Sequence, residues 1–253
     1  MPEIVEIEIL RKEVINQLSG KTINEVIINK ESILNMSGEE FSPLIIGNKI
    51  VSARRKGKVL IIDLSNDISL AIHFLLTGFM RLVDKCNRSK VQIGFILDDG
   101  KCLTINGIMR GGFVKALATS KVFDDPALKK LGIDAMSPAF TRDELKNILI
   151  KNGRKKIKQV LMDQSIISGV GNAYSDEILF KAGILPTRKV SSLTDEEIDK
   201  LYEAFGEVFR TAEKYGGASE LTFVHLDGKK GEAHKHFFVH KRAGKPCLVC
   251  GTP

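Results

Sequence analysis

The sequence predicts an α+β protein of two domains, an N-terminal β-sandwich led by a helix and a C-terminal helical domain. Three observations predict it. Residues 3–18 place Ile7, Leu10, Val14 and Leu18 at helical spacing, with Gly20 as the stop. Short β-branched or apolar runs then follow at hairpin spacing. From about residue 121 the periodicity becomes helical and capping signals appear.

In order, the opening helix is followed by strand runs at 22–28, 49–55, 59–64, 68–74, 91–97 and 101–105. Turns such as Lys56-Gly57 and Asp98-Asp99-Gly100 separate them, the pattern of a sandwich or flattened barrel. A connecting stretch at 121–140 carries Asp125-Pro126 and Ser137-Pro138. Helices are predicted near 141–151, 157–165, 172–181 and 194–214. Thr141 with Glu144 and Thr194 with Glu197 form capping boxes at two starts. Gly153, Gly183 and Gly216-Gly217 stand where helix C-termini favour positive φ. Residues 236–241 read as a strand entering a small hairpin. The domains are thus 1–120, a linker 121–140, 141–218, and a final region 219–253.

The 253 residues, 43% of them hydrophobic, suffice for two real cores. Lys and Arg outnumber Asp and Glu by 38 to 31, a net charge of +7 that suits an anionic partner. No apolar run approaches the roughly 18 residues of a membrane span and no secretory leader is visible, so a soluble cytoplasmic chain is expected. Four cysteines make no disulfide framework: Cys86 and Cys102 read as isolated, and Cys247 and Cys250 form a CxxC.

Two segments carry chemistry. Removal of Met1 would leave Pro2 as a secondary amine, and an α-amino group with a pKa of roughly 7.7–8.0 is partly neutral and nucleophilic at pH 7. With Glu3 beside it, such an amine can attack a sugar aldehyde carbon and form an iminium. Far downstream, the glycines of Gly169-Val170-Gly171-Asn172 allow backbone amides to approach a phosphate at a helix N-terminus, with Asn172 as cap or phosphate donor. Arg54, Arg55, Lys56 and Lys58 crowd one hairpin, and strand alternation puts Lys56 and Lys58 on one side. The run Arg154-Lys155-Lys156-Ile157-Lys158 opens a helix against its dipole, a cost that a phosphate partner would relieve. Glu6 reads equally as a second site carboxylate or as a solvent-facing helix residue, and Glu8 as structural or exposed.

Pro2-Glu3-Ile4-Val5-Glu6-Ile7-Glu8, Arg55-Lys56-Gly57-Lys58, His73, Arg110, the block from Leu161 through Gly169-Val170-Gly171-Asn172-Ala173-Tyr174 to Pro186, and the CxxC segment occur in one order. In this the chain resembles the formamidopyrimidine-DNA glycosylase and endonuclease VIII family over nearly its whole length, the central block resembling the family's helix-two-turn-helix element. The resemblance implies a bifunctional glycosylase and abasic-site lyase of base-excision repair. Pro2 would be the nucleophile, Glu3 the proton donor and shuttle, and Lys58 a catalytic contact to the phosphates flanking the lesion, with damaged DNA as partner and a monomer as working unit. His73, Leu76, Arg110, Lys158, Asn172 and Tyr174 would bind DNA. Zinc is the family's cofactor.

Two departures from the family pattern stand out. The three side chains that fill the gap left by an extruded base fall at Leu76, Arg110 and Gly111, and Gly111 has no ring to stack. Poorer discrimination of the opposite base and tolerance of single-stranded DNA are therefore expected. The sequence given also stops just after the first CxxC, so either the chain is cut short or the finger is incomplete, and Cys247 and Cys250 supply half of a four-ligand zinc site. On the predicted strand His236 and His240 would lie about 13 Å apart, too far to share a metal. Residues 219–231 fall where relatives carry a loop over the lesion. The alternative reading is a non-catalytic damaged-DNA-binding protein of the same fold, against which Pro2 with Glu3 argues; a basic structural protein is a further class, in which the terminal amine is incidental and blocking it changes nothing.

Overall fold

The computed structural model describes residues 2–219 and 222–252. Helix α1 (Ile4–Leu18) opens the chain and buries one apolar side. Strand β1 (Ile23–Ile28) and a short helix α2 (Gly38–Ile45) follow. Then come β2 (Ile50–Lys56), β3 (Val59–Leu64), β4 (Ile68–His73), β5 (Phe79–Val83), β6 (Ile93–Leu97), β7 (Cys102–Asn106) and β8 (Phe113–Ala118). They form two antiparallel four-stranded sheets, ordered β1-β6-β7-β5 and β2-β3-β4-β8.

The second sheet is buried on both faces, which is why β3 reads as a near-continuous apolar run. Leu60, Ile62 and Leu64 join the main core with α1, whereas Val59 and Ile61 pack with Ala71, Val122 and Leu128 on the other side. Val122 belongs to a 3-10 turn, and Leu128 to the short helix α3 (Pro126–Lys129).

The second half comprises β9 (Ile133–Asp134), α4 (Arg142–Lys151), α5 (Ile157–Met162), β10 (Ile167–Ser168), α6 (Asn172–Ala182) and α7 (Asp195–Lys214). β9 and β10 pair in parallel, tying the stretch read as linker to the glycine turn that follows β10. Thr194 and Glu197 close their capping box in both directions, at 3.2 and 2.9 Å. Thr141 accepts from the Glu144 amide at 3.2 Å.

The structure corrects several expectations. β5, β8 and α2 are additional. Both strands are sheet edges and half-exposed, so their apolar signal is weak, and α2 carries Pro43 in its interior despite the Ser37–Glu40 capping box that starts it. α4 ends on Asn152, and Gly153 does not take a positive φ, unlike Gly183, Gly216 and Gly217. Residues 236–241 are not a strand: a 3-10 turn, Ala233–His236, leads into irregular chain. Cys86 and Cys102 are not isolated but disulfide-bonded, their Cα atoms 5.5 Å apart. Gly94 makes the room, since a Cβ there would lie 3.1 Å from the Cys86 sulfur.

Candidate active site and DNA interface

The site forms where the start of α1 meets the start of α6. Pro2 is buried in the extended residues ahead of α1. Glu3, its neighbour, is 5% exposed and places its carboxylate on the N-terminus of α6, accepting from the Gly171 amide at 2.5 Å and the Ala173 amide at 3.0 Å. The free amides and dipole of a helix start favour an anion, and here the anion is the protein's own. This corrects the sequence reading of the glycine turn as open to a phosphate. A Cβ at Gly169 (φ +105°) would lie 2.4 Å from Ile4, and one at Gly171 would lie 2.4 Å from the Glu3 carboxyl and 2.6 Å from Lys58 Nζ. The glycines let the two halves of the molecule touch.

Lys58 occupies the tip of the β2–β3 hairpin, where Lys56 pairs with Val59 and Gly57 has φ +56°. It lies in the turn itself, so strand alternation does not govern it. Lys56 sits 5.7 Å over the Phe123 ring, while Lys58 is buried beside Glu3. The predicted cationic crowd is largely neutralised. Arg54 pairs with Asp63, and the Arg55 guanidinium, 7% exposed, binds Asp134 at 2.5 and 3.0 Å and Glu8 at 3.3 Å. The Gly57 amide also donates to Asp134 at 2.7 Å, which fixes the hairpin tip to β9.

Burial dominates the electrostatics. It raises the Glu3 carboxyl above its ordinary range, with Lys58 opposing and Glu6 adding to the shift. It lowers the Lys58 ammonium, with Glu3 and Glu6 opposing. Burial thus disfavours the charged form of both groups. Glu6 is not solvent-facing: it is 1% exposed and accepts from the Glu3 amide (2.8 Å), the Tyr174 hydroxyl (2.5 Å) and the Ala218 amide (2.8 Å). A carboxylate so fully engaged holds the site together.

Other predicted residues divide. Asn172 is exposed at the first turn of α6 but is not its cap, which is Gly171. Tyr174 is 1% exposed and its hydroxyl donates to Glu6, so its side chain supports that carboxylate. Lys158 is paired with Asp176 at 2.5 Å. His73, facing Phe113 at the end of β4, has its pKa pushed down to about 4 by burial and then by Lys58 and Lys130. Leu76, 54% exposed, and exposed Arg110 lie on neighbouring turns, joined by the Thr77 hydroxyl on the Gly107 carbonyl at 2.6 Å. Met109, 51% exposed on the same edge, was missed; an apolar residue next to Arg110 in a loop was its signal.

Cys247 and Cys250 are free thiols. The Val249 amide lies 3.5 Å from the Cys247 sulfur, and hydrogen bonds from Thr252 lower the Cys250 thiol, so the pair suits a soft metal such as zinc. Among the described residues no group of three or more His, Cys, Asp or Glu could hold a metal. His236 is stacked on Tyr215 and His240 is bound to Asp176. These residues fit only half of a zinc site.

The fold and site define a two-domain protein in which a lysine at a hairpin tip and an N-terminal carboxylate meet at a helix-two-turn-helix element. Residues 1–114 match the formamidopyrimidine-DNA glycosylase N-terminal domain, and residues 131–223 match the formamidopyrimidine-DNA glycosylase H2TH domain. Formamidopyrimidine-DNA glycosylases of Listeria innocua and Carboxydothermus hydrogenoformans are each 33% identical, over 100% of this chain and 93% and 92% of theirs. The crystal structure of the Thermus thermophilus protein aligns with TM-score 0.87 at 30% identity over 100% of this chain and 92% of that one. A Lactococcus lactis variant in complex with DNA containing Fapy-dG aligns with TM-score 0.89 at 26% identity, over 99% and 92%. The chain belongs to the formamidopyrimidine-DNA glycosylase family of enzymes.

Proposed function

We propose that the protein is a DNA glycosylase of base-excision repair that removes oxidatively damaged bases and cleaves the resulting abasic site through Pro2. The observation that carries this reading is Glu3, buried next to Pro2 in the chain and meeting buried Lys58 at Gly171. Once Met1 is removed, the Pro2 nitrogen attacks C1′ of an extruded nucleotide, the glycosidic bond breaks and the base leaves with a proton. Glu3, its carboxyl raised by burial, protonates the sugar ring oxygen, and the open-chain product is an iminium on Pro2. Loss of a C2′ proton expels the 3′ phosphate by β-elimination, and a second elimination releases the 5′ phosphate. Lys58 holds a phosphate beside the lesion when its proton stays on nitrogen. Exposed Asn172 and Arg110 are polar groups offered to DNA, and Leu76 enters the stack.

Gly111, without a ring, supports tolerance of single-stranded or distorted DNA and weak opposite-base selectivity. Incubation of an abasic-site oligonucleotide with borohydride tests the chemistry. A covalent adduct is expected with the free N-terminus and none with a residue fused ahead of Pro2. Binding of damaged DNA without any adduct would favour the non-catalytic reading instead.

A further inference from the structure

His225 belongs to none of the groups above, yet both of its ring nitrogens are engaged. Nδ1 lies 2.6 Å from a Glu13 carboxylate oxygen and Nε2 lies 3.0 Å from the Gly216 carbonyl oxygen. Both partners are acceptors. A neutral imidazole has one N–H and can satisfy only one of them; the imidazolium satisfies both. The Leu226 amide donates to the other Glu13 oxygen at 3.0 Å, and the Leu226 carbonyl accepts from Leu82 of β5 at 2.8 Å.

Gly216 opens the turn that leads into the site. Two residues later the Ala218 amide binds Glu6, and a Cβ at Gly217 would lie 3.1 Å from the same Glu6 oxygen. Glu13 and Glu6 are two turns apart on α1, so the ring closes a loop of contacts: α1 to His225, His225 to Gly216, and Gly216 through Ala218 back to α1. The facing chain is tight as well, since a Cβ at Gly231 would fall 1.9 Å from the Gly216 oxygen, leaving that carbonyl little freedom to turn.

We infer that protonated His225 is a positioning residue, stapling the Gly216–Ala218 turn to α1 and thereby seating Glu6 under Glu3 and Pro2. The charged groups acting on it are Glu13 from α1 and Asp227 from its own turn. The hydrogen bond to Glu13 raises the imidazole above its ordinary range, burial opposes, and the Glu13 charge, Gly216 and Asp227 add. A raised pKa means that the staple is complete at low pH and is lost as pH rises through the folded value.

The inference rests on the lyase reading for its activity arm only. The protein with a free Pro2 terminus is pre-bound to abasic-site DNA, and the first-order rate of borohydride trapping is followed against pH for wild type, H225Q and E13Q. Beyond the alkaline limb that Glu3 gives to every variant, wild type should show a further decline from His225, E13Q that further decline at lower pH, and H225Q no such component, with its rate below the pKa lower by about tenfold, the worth of one charge-assisted hydrogen bond. Amide exchange at Ala218 and Leu226 in the DNA-free protein should be about tenfold faster in H225Q at low pH and converge with wild type at high pH. An H225Q profile superimposed on wild type, or unchanged exchange at Ala218, overturns the inference. Wild type that forms no adduct defeats the lyase reading, and exchange then decides the role of His225.

Discussion

The junction of α1 with α6 and the edge formed by the 76–78 and 107–112 turns differ in how their groups are held. At the junction Glu3, Glu6 and Arg55 have fixed partners and little exposure. At the edge Leu76, Met109 and Arg110 are exposed on chain that includes Leu75 (φ +54°) and Gly111 (φ +97°). Chemistry needs groups fixed in advance of the substrate, whereas reading a distorted duplex needs groups that gain partners on binding. On the proposed function, the contrast is that between a reaction centre and a recognition edge.

Substitutions can break or sharpen that division. The largest effect is expected from Glu3→Gln, which keeps an acceptor for the α6 amides but removes the proton donor. Single-turnover base release should fall by ~10²- to 10⁴-fold while affinity for abasic-analogue DNA is retained; an equal loss in affinity would make Glu3 a purely structural cap. Arg55→Ala strips Asp134 of its guanidinium and should cost about 3–5 kcal/mol in denaturant unfolding, as removal of one partner of a buried pair does.

His73 gives a pH test. Its folded pKa, about 4, lies below the unfolded imidazole, so stability is full above the ordinary value near 6.5 and declines as pH falls toward 4. His73→Gln should flatten that acid limb of the melting temperature against pH. The smallest effect belongs to the edge: Leu76→Ala should slow cleavage of a duplex lesion a few-fold more than the same lesion in single strand, since only the duplex must be held open. Equal slowing on both would remove Leu76 from the recognition edge.

Much of this was legible in sequence. The α1 stripe, the β3 run, the Thr194 box and the glycine turn are local patterns, and local patterns report local structure. The Pro2-Glu3 start and the central block pointed to the right family. What the sequence hid was the partner of each polar group. Glu3 meets Gly171 across 168 positions, and Arg55 meets Asp134 across 79. No periodicity encodes such pairings, so the glycine turn was read as a phosphate cradle and the 54–58 cluster as a free cationic face. The same holds for Cys86 and Cys102, brought together by the return of the chain after β5. Residues 236–241 misled for a related reason: their alternation looked like a strand, but their amides are taken by a carboxylate instead of a neighbouring strand.

That carboxylate is Glu177, 3% exposed, which accepts from the amides of Phe238, Val239 and His240 at 2.6, 3.0 and 2.8 Å. Its helix also receives Glu3 at Ala173, one turn earlier, a spacing of about 6 Å at 1.5 Å per residue. One rigid turn therefore acts as a ruler between the reacting corner and the root of the CxxC tail. The seat of Glu3 and the seat of the tail are therefore fixed to each other through one stretch of helix.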